Sequence, residues 1–230
     1  MLKLDQVTIH NDAFELRADL SVPQGARIAV MGPSGAGKST LIGAIAGFLP
    51  LGAGRILWQD QDITALPPGQ RPVAMLFQDS NLFPHLTVLQ NVGLGLRPDL
   101  KLTPAQTKTA HAALARVGLQ GFEARKPGAL SGGQQSRAAL ARVLVQDRPL
   151  ILLDEPFAAL GPALKVEMLD LVRDLTRGTG ATLLMVSHDP ADARRIADQI
   201  ILVADGIAHP PQDTGRLLDN PPPALREYLG

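Results

Sequence analysis

The sequence predicts an α/β fold: a mainly parallel sheet covered on both faces by helices, with an N-terminal antiparallel β subdomain and an inserted α-helical lobe. Three observations carry this expectation. Strand-sized apolar runs at Arg27–Met31, 150–153, 182–186 and 200–203 alternate with helical segments, the pattern of a parallel sheet. Residues 2–20 instead read as two successive strands with no helix between them. From about 87 to 145 the β-branched runs disappear and the pattern turns helical, so a helical block interrupts the α/β alternation.

Taken in order, Leu2 and Leu4, then Val7, Thr8 and Ile9, form the first strand. Phe14, Leu16, Ala18 and Leu20 alternate with polar residues as a half-buried second one. Arg27–Met31 is a short buried strand that runs straight into a glycine-rich loop, and residues 39–48, apolar on most sides, read as an interior helix. Strands follow at 54–58 and 73–77. Inside the helical block Thr103 reads as an N-cap, with Pro104 at the first helical position and Gln106 completing a capping box. Ala110, Ala113, Leu114 and Val117 supply that helix with an apolar face, and Gly118 ends it. Asp205-Gly206 reads as a hairpin turn, and the triplet Pro221, Pro222, Pro223 as the end of the fold or a short tail. The expected organisation is a single domain over 1–230. An α/β core with its β subdomain occupies 1–86 and 148–215, the helical lobe 87–147 and a C-terminal tail 216–230.

Composition narrows the function classes. Lys plus Arg is 22 and Asp plus Glu is 22, so no polybasic surface for nucleic acid or lipid is expected. The absence of cysteine excludes a disulfide framework or thiolate metal site and fits a reducing compartment. The N-terminus lacks the charged-then-apolar pattern of a signal peptide, and no run approaches the roughly 18 apolar residues of a membrane helix. The expectation is a cytoplasmic chain that meets a membrane only through a partner.

The chemistry begins at Gly32, Pro33, Ser34, Gly35, Ala36, Gly37, Lys38 and Ser39, which match G-x-x-x-x-G-K-[ST] at every position. Glycines let backbone N–H groups approach phosphate oxygens, and the helix that follows points its positive end at them. Lys38 is expected to place a charge on the β- and γ-phosphates of ATP, and the Ser39 hydroxyl to ligate Mg²⁺, with Thr40 next in the same loop. The fold class is therefore that of a P-loop NTPase core. A second acidic element closes the run 150–153 with Asp154 and Glu155. Two carboxylates at the end of a buried strand are costly unless compensated, and at the carboxyl end of a parallel strand they lie by the phosphate loop. Asp154 is expected to hold Mg²⁺ and Glu155 to orient and polarise the attacking water.

A third string, Leu130, Ser131, Gly132, Gly133, Gln134, opens a helical run at 135–145. Alone it is a flexible helix cap; after a phosphate loop it is a second anion grip in one chain. These residues resemble the signature of ATP-binding-cassette (ABC) ATPases, in which the segment clasps the γ-phosphate bound to the opposite subunit. The resemblance covers nearly the whole length. It implies that Ser131, Gly132, Gly133 and Gln134 bind nucleotide, and that Gln78 senses nucleotide at the lobe junction, joins Ser39 and Asp154 around Mg²⁺ and faces a membrane partner. It also implies that His188 contacts the γ-phosphate as a catalytic residue beside Glu155 and Lys38. Residues 71–78, 81–88, 93–96 and 184–188 are similar to importer ATPases, and among them to the ATP-binding subunits of bacterial thiamine importers.

What the resemblance implies as a whole is an importer ATPase. Two copies sandwich two ATP molecules and drive uptake of thiamine, or a phosphorylated form, through a partner permease. A solute-binding protein is an indirect partner and nucleic acid is not one. The place implied is the cytoplasmic face of the bacterial inner membrane, and the chain leaves no room for the added regulatory domain of some importer ATPases. An importer for another solute, an exporter, a soluble non-transport cassette and a scaffold that no longer hydrolyses remain as alternatives. Two positions depart from the family. Asn11 stands where an aromatic residue stacks on adenine, leaving His10 or Phe14 as substitutes, and Gly161 stands where the interface loop, Ala158-Ala159-Leu160-Gly161 here, carries Asp. Gly161 reads either as a loosened link between the two ATP sites or as a simple turn glycine.

Overall fold

A computed structural model describes residues 1–11, 14–79, 81–158 and 160–229. The chain opens with strands β1 (Leu2–Asn11), β2 (Phe14–Val22) and β3 (Arg27–Met31), which leads to helix α1 (Lys38–Ala46). Strands β4 (Ala53–Trp58), β5 (Gln61–Asp62) and β6 (Val73–Leu76) come next, then helices α2 (Val88–Gly93), α3 (Pro104–Arg116) and α4 (Gly132–Leu144). Alternation resumes with β7 (Leu150–Asp154), α5 (Pro162–Thr179), β8 (Thr182–Val186), α6 (Pro190–Ile196) and β9 (Gln199–Ala204). Two short strands, β10 (Ile207–Ala208) and β11 (Gln212–Asp213), and helices α7 (Thr214–Asp219) and α8 (Pro223–Leu229) complete the described chain.

The strands line up in the order β5-β4-β1-β2-β10-β9-β3-β8-β7-β6. The run β9-β3-β8-β7-β6 is parallel throughout. The run β5-β4-β1-β2 is antiparallel, and β10 joins the two by pairing parallel to β2 and antiparallel to β9. The buried residues of β1 shift from even to odd numbers between Leu4 and Val7. The cause is a bulge there, with Gln6 at φ 50°, which swings the strand by one residue and keeps the apolar set on the core face. Asp205 and Gly206, at φ 51° and 73°, form the β9–β10 turn, because two positive φ values suit the right-handed twist of a two-residue hairpin.

The helices follow local chemistry. Thr103 and Gln106 exchange both capping-box hydrogen bonds at the start of α3, and Thr87 and Gln90 do the same for α2. Helix α1 stops at Ala46, earlier than the apolar run implies, because Gly47 takes φ 88° and its N–H turns back to Gly43 and Ala44 carbonyls. Helix α4 begins at Gly132, earlier than the expected 135, since Ser131 and Gln134 form a third capping box. That S-x-x-Q spacing was legible in the sequence.

The segment expected to be a tail is folded. Its two helices, α7 and α8, bury Leu217, Leu218 and Leu225 against Met31, Ile200 and Leu202 of the sheet. The three prolines introduce α8 rather than end the fold, which suits proline because the first turn needs no N–H partner. The helices α2–α4 do not enclose a core of their own. Val88, Val92, Leu114 and Leu140 share one apolar cluster with Leu76, Ile151 and Leu153 of the sheet.

Arg71 fixes α1 from below. Its buried guanidinium donates to the carbonyls of Ala44 and Ile45 at the end of α1 and of Thr64 and Leu66 before β6, at 2.7 to 2.8 Å. A cation at a helix C-terminus meets the negative end of its dipole. Four carbonyls also compensate the burial that draws the Arg71 pKa down. The phosphate-loop helix is thus pinned to the strand that leads to Gln78.

Candidate nucleotide site

Four adjacent parallel strands set the site. Because β3, β8, β7 and β6 run the same way, their carboxyl ends meet along one edge of the sheet. That edge receives the phosphate loop after Met31, His188 after β8, Asp154 and Glu155 at the end of β7, and Gln78 after β6.

The loop has the shape its glycines require. Gly32, at φ 149°, passes so close to Val203 of β9 that an added Cβ would overlap the Val203 carbonyl. Gly37 caps α1 at φ 100° with no side-chain cap, so the first N–H groups of α1 are left for an outside acceptor. Lys38 is 8% exposed, and its ammonium donates to the carbonyls of Gly32 and Pro33, each at 2.8 Å. Burial draws its pKa down, against the opposing pull of Glu155 and Asp154. A dehydrated cation folded against its own loop is poised to exchange two neutral acceptors for charged phosphate oxygens.

Ser39 donates its hydroxyl to Asp154 Oδ1 at 3.0 Å. Burial pushes the Asp154 carboxyl up, the Ser39 bond and Lys38 pull it down, and Glu155 pushes it further up; the net direction is upward. A hydroxyl and a carboxylate side by side, both oxygen donors, fit a small hard divalent cation such as Mg²⁺. Glu155 sits at φ 42°, a costly conformation for a residue other than glycine, immediately before Pro156. Its Oε2 lies 3.3 Å from His188 Nδ1.

The loop carrying His188 is braced on one side. Lys165 on α5 bridges Asp189 at 2.9 Å and Asp192 at 2.8 Å. Ser187 donates to Asp192 at 2.6 Å, and Asp189 caps α6 by accepting the Ala191 N–H. The Lys165 bond holds the Asp189 carboxyl below the ordinary carboxylate range. Sequence motifs gave no sign of these bracing residues, which come together only across the fold.

Two clefts share Glu155. One, about 340 Å³, is lined by Phe14, Ser34, Gly35, Gly37, Lys38, Ser39, Thr40 and Glu155. The other, about 470 Å³, is lined by Gln78, Asp79, Gly132, Gln135, Ser136 and Glu155 among others. Among the described residues, none of Ser131 to Gln134 lines the phosphate-loop cleft. The side chains of Ser131 and Gln134 are spent on each other's backbone N–H groups at the start of α4. Gly133 is buried, and an added Cβ there would collide with Leu164 of α5, so this glycine permits helix packing. Gln78 lies in the second cleft with no hydrogen bond to Ser39 or Asp154 among the described residues. The side chain of Asn11 and residue Ala159 of the loop 158–161 lie outside the described residues.

A glycine-rich phosphate loop with a hydroxyl–carboxylate pair beside it, on the carboxyl edge of a parallel sheet, defines a nucleoside triphosphatase of the P-loop class. The family model described as ABC transporter matches residues 16–158. The thiamine import ATP-binding protein of Ruegeria sp. (strain TM1040) is 66% identical over 230 residues, covering 100% of both chains. A dimeric ATP-binding cassette in a post-hydrolysis state, bound to ADP and Pi, superposes with a TM-score of 0.81 at 30% identity, covering 93% of this chain and 99% of that one. A nucleotide-free cassette from an ABC transporter gives 0.88 at 25% identity, covering 100% and 99%. The chain belongs to the ABC transporter family, as one of its ATP-binding, ATP-hydrolysing subunits. Among the described residues no helix is long and apolar enough to cross a membrane.

Proposed function

We propose that this chain is the ATPase of a thiamine importer, working as an ATP-dependent homodimer beneath a permease at the cytoplasmic face of the bacterial inner membrane. The observation that carries the catalytic reading is the Ser39–Asp154 pair at 3.0 Å beside the phosphate loop, with Glu155 and His188 on the same sheet edge. Lys38 and the N–H groups of the loop through Thr40 bind the triphosphate. Ser39 and Asp154 would hold Mg²⁺, and Gln78 would add a further oxygen ligand. Bound Mg²⁺ neutralises charge on the β- and γ-phosphates. Glu155 takes the proton of the attacking water, and His188 faces the γ-phosphate.

The signature segment supports the homodimer. Ser131 to Gln134 stand outside this chain's own phosphate-loop cleft. The N–H groups of Gly132 and Gly133, in the first turn of α4, have no acceptor within that helix. A second copy's γ-phosphate supplies one. Thiamine as the solute rests on the likeness, over the full length of both chains, to the thiamine import ATP-binding protein of Ruegeria. Reconstitution with a thiamine-importer permease and solute-binding protein should give ATP-dependent uptake of labelled thiamine. Uptake of another solute and not of thiamine would overturn the assignment.

Phe14 is the aromatic that the site offers to adenine. Positions 11 and 14 are directly paired in the β1–β2 ladder and therefore share one face. The Phe14 ring packs against Gly37 of the phosphate loop. Phe14→Ala should raise the Kd for ATP about fivefold to tenfold, the range of one aromatic stacking contact. The affinity for inorganic tripolyphosphate should stay unchanged, and equal losses for the two ligands would remove adenine from the explanation.

Gly161 caps α5 at φ −64° and ψ 155°, extended backbone open to any residue, and an added Cβ there meets nothing within 4 Å. The backbone here does not require glycine, which supports the loosened-link reading over a simple turn glycine. Asp is a good N-cap in this conformation. Gly161→Asp should lower basal ATPase in the assembled transporter, keep the solute-stimulated rate and leave the melting temperature equal or slightly higher. A proportional loss in both rates would show that the side chain plays no part in linking the sites.

A further inference from the structure

We propose that Tyr228, on the C-terminal helix α8, is a positioning residue for His188. The inference rests on the reading of His188 given above. The phenol donates its O–H to the backbone carbonyl of His188 at 2.9 Å, across 40 residues of sequence. This joins the last helix directly to the catalytic edge of the sheet.

The His188 side chain has little to hold it. It is 54% exposed, and its polar partner is Glu155 at 3.3 Å. Its direction therefore depends on the backbone of residue 188. That backbone is bound upstream, where the Ser187 N–H donates to Val30, and downstream, where Asp189 caps α6 and meets Lys165. At residue 188 itself, among the described residues, the backbone is fastened by the Tyr228 hydroxyl. Without it, the peptide between two braced residues can rotate and carry the imidazole with it.

The donor is itself firmly placed. Leu225, three residues earlier on the same face of α8, is fully buried against the sheet, and the Tyr228 ring packs on that same cluster. Burial, then the carboxylates of Glu155 and Asp189, push the phenol pKa up, so the hydroxyl remains a donor across the working pH range. Those two carboxylates also show how near the phenol stands to the catalytic groups.

Tyr228→Phe keeps the ring and its packing and removes only the donor. In the purified full-length ATPase, kcat should fall about fivefold, the factor expected of one neutral hydrogen bond, with the KM for Mg-ATP and the melting temperature essentially unchanged. In a His188→Ala background the same change should have no further effect on single-turnover hydrolysis. An unaltered kcat in Tyr228→Phe, with or without a lower melting temperature, would overturn the proposal. So would an undiminished fivefold loss in the His188→Ala background, since Tyr228 would then act by another route. Normal turnover in His188→Ala alone would remove the role of His188 and the proposal with it. A defective His188→Ala beside a fully active Tyr228→Phe would reject Tyr228 only.

Discussion

Lys38→Ala should weaken Mg-ATP binding by about a hundredfold, the loss expected when charge-assisted bonds to two phosphates disappear from a dehydrated site. The reason lies in how the ammonium is held. It is buried, its pKa is drawn down by burial, and it rests on the carbonyls of Gly32 and Pro33. The fold itself asks little of it, because α1 is secured by its apolar sides and, at the other end, by Arg71. Calorimetric titration should therefore show the loss in a protein whose melting temperature has barely moved. Near-normal affinity in the folded variant would remove the phosphate loop from nucleotide binding.

Glu155→Gln should reduce hydrolysis by about a hundredfold to a thousandfold while ATP binding persists, as when a general base is replaced by its isosteric amide. Glu155 is held at φ 42° before Pro156 and lines the phosphate-loop cleft, which sets its carboxylate beside the proposed triphosphate position. Glutamine preserves that placement and cannot take a proton. A ligand that binds only the closed dimer stabilises that dimer by mass action, so blocked hydrolysis should trap it. Gel filtration with Mg-ATP should show a dimer for Glu155→Gln that wild type forms only briefly. A monomer turning over at close to the wild-type rate would dismiss both the base and the sandwich.

The phosphate loop was legible because it is contiguous. A phosphate loop is a demand on successive φ angles and on a helix that starts at once, and Gly32 to Ser39 state that demand without a gap. The third capping box was equally legible, in Ser131 and Gln134, and it changes what those side chains do. Gly133 is different. The neighbour that crowds its α-carbon is the Leu164 side chain, thirty-one positions away and on another helix.

The sequence by itself determined the nucleotide chemistry, the alternation of strands and helices and the absence of thiolate sites, because all of these depend on residue type and short-range period. Tertiary structure alone decided that residues 216–229 fold, with Leu217 and Leu225 buried against the sheet. It also decided that Arg71 closes the end of α1 and that Tyr228 reaches the His188 carbonyl. The physical reason is strand order. Placing β8 between β3 and β7 brings chain-distant residues to one edge. That placement is set by the summed burial of whole faces, which no local string encodes.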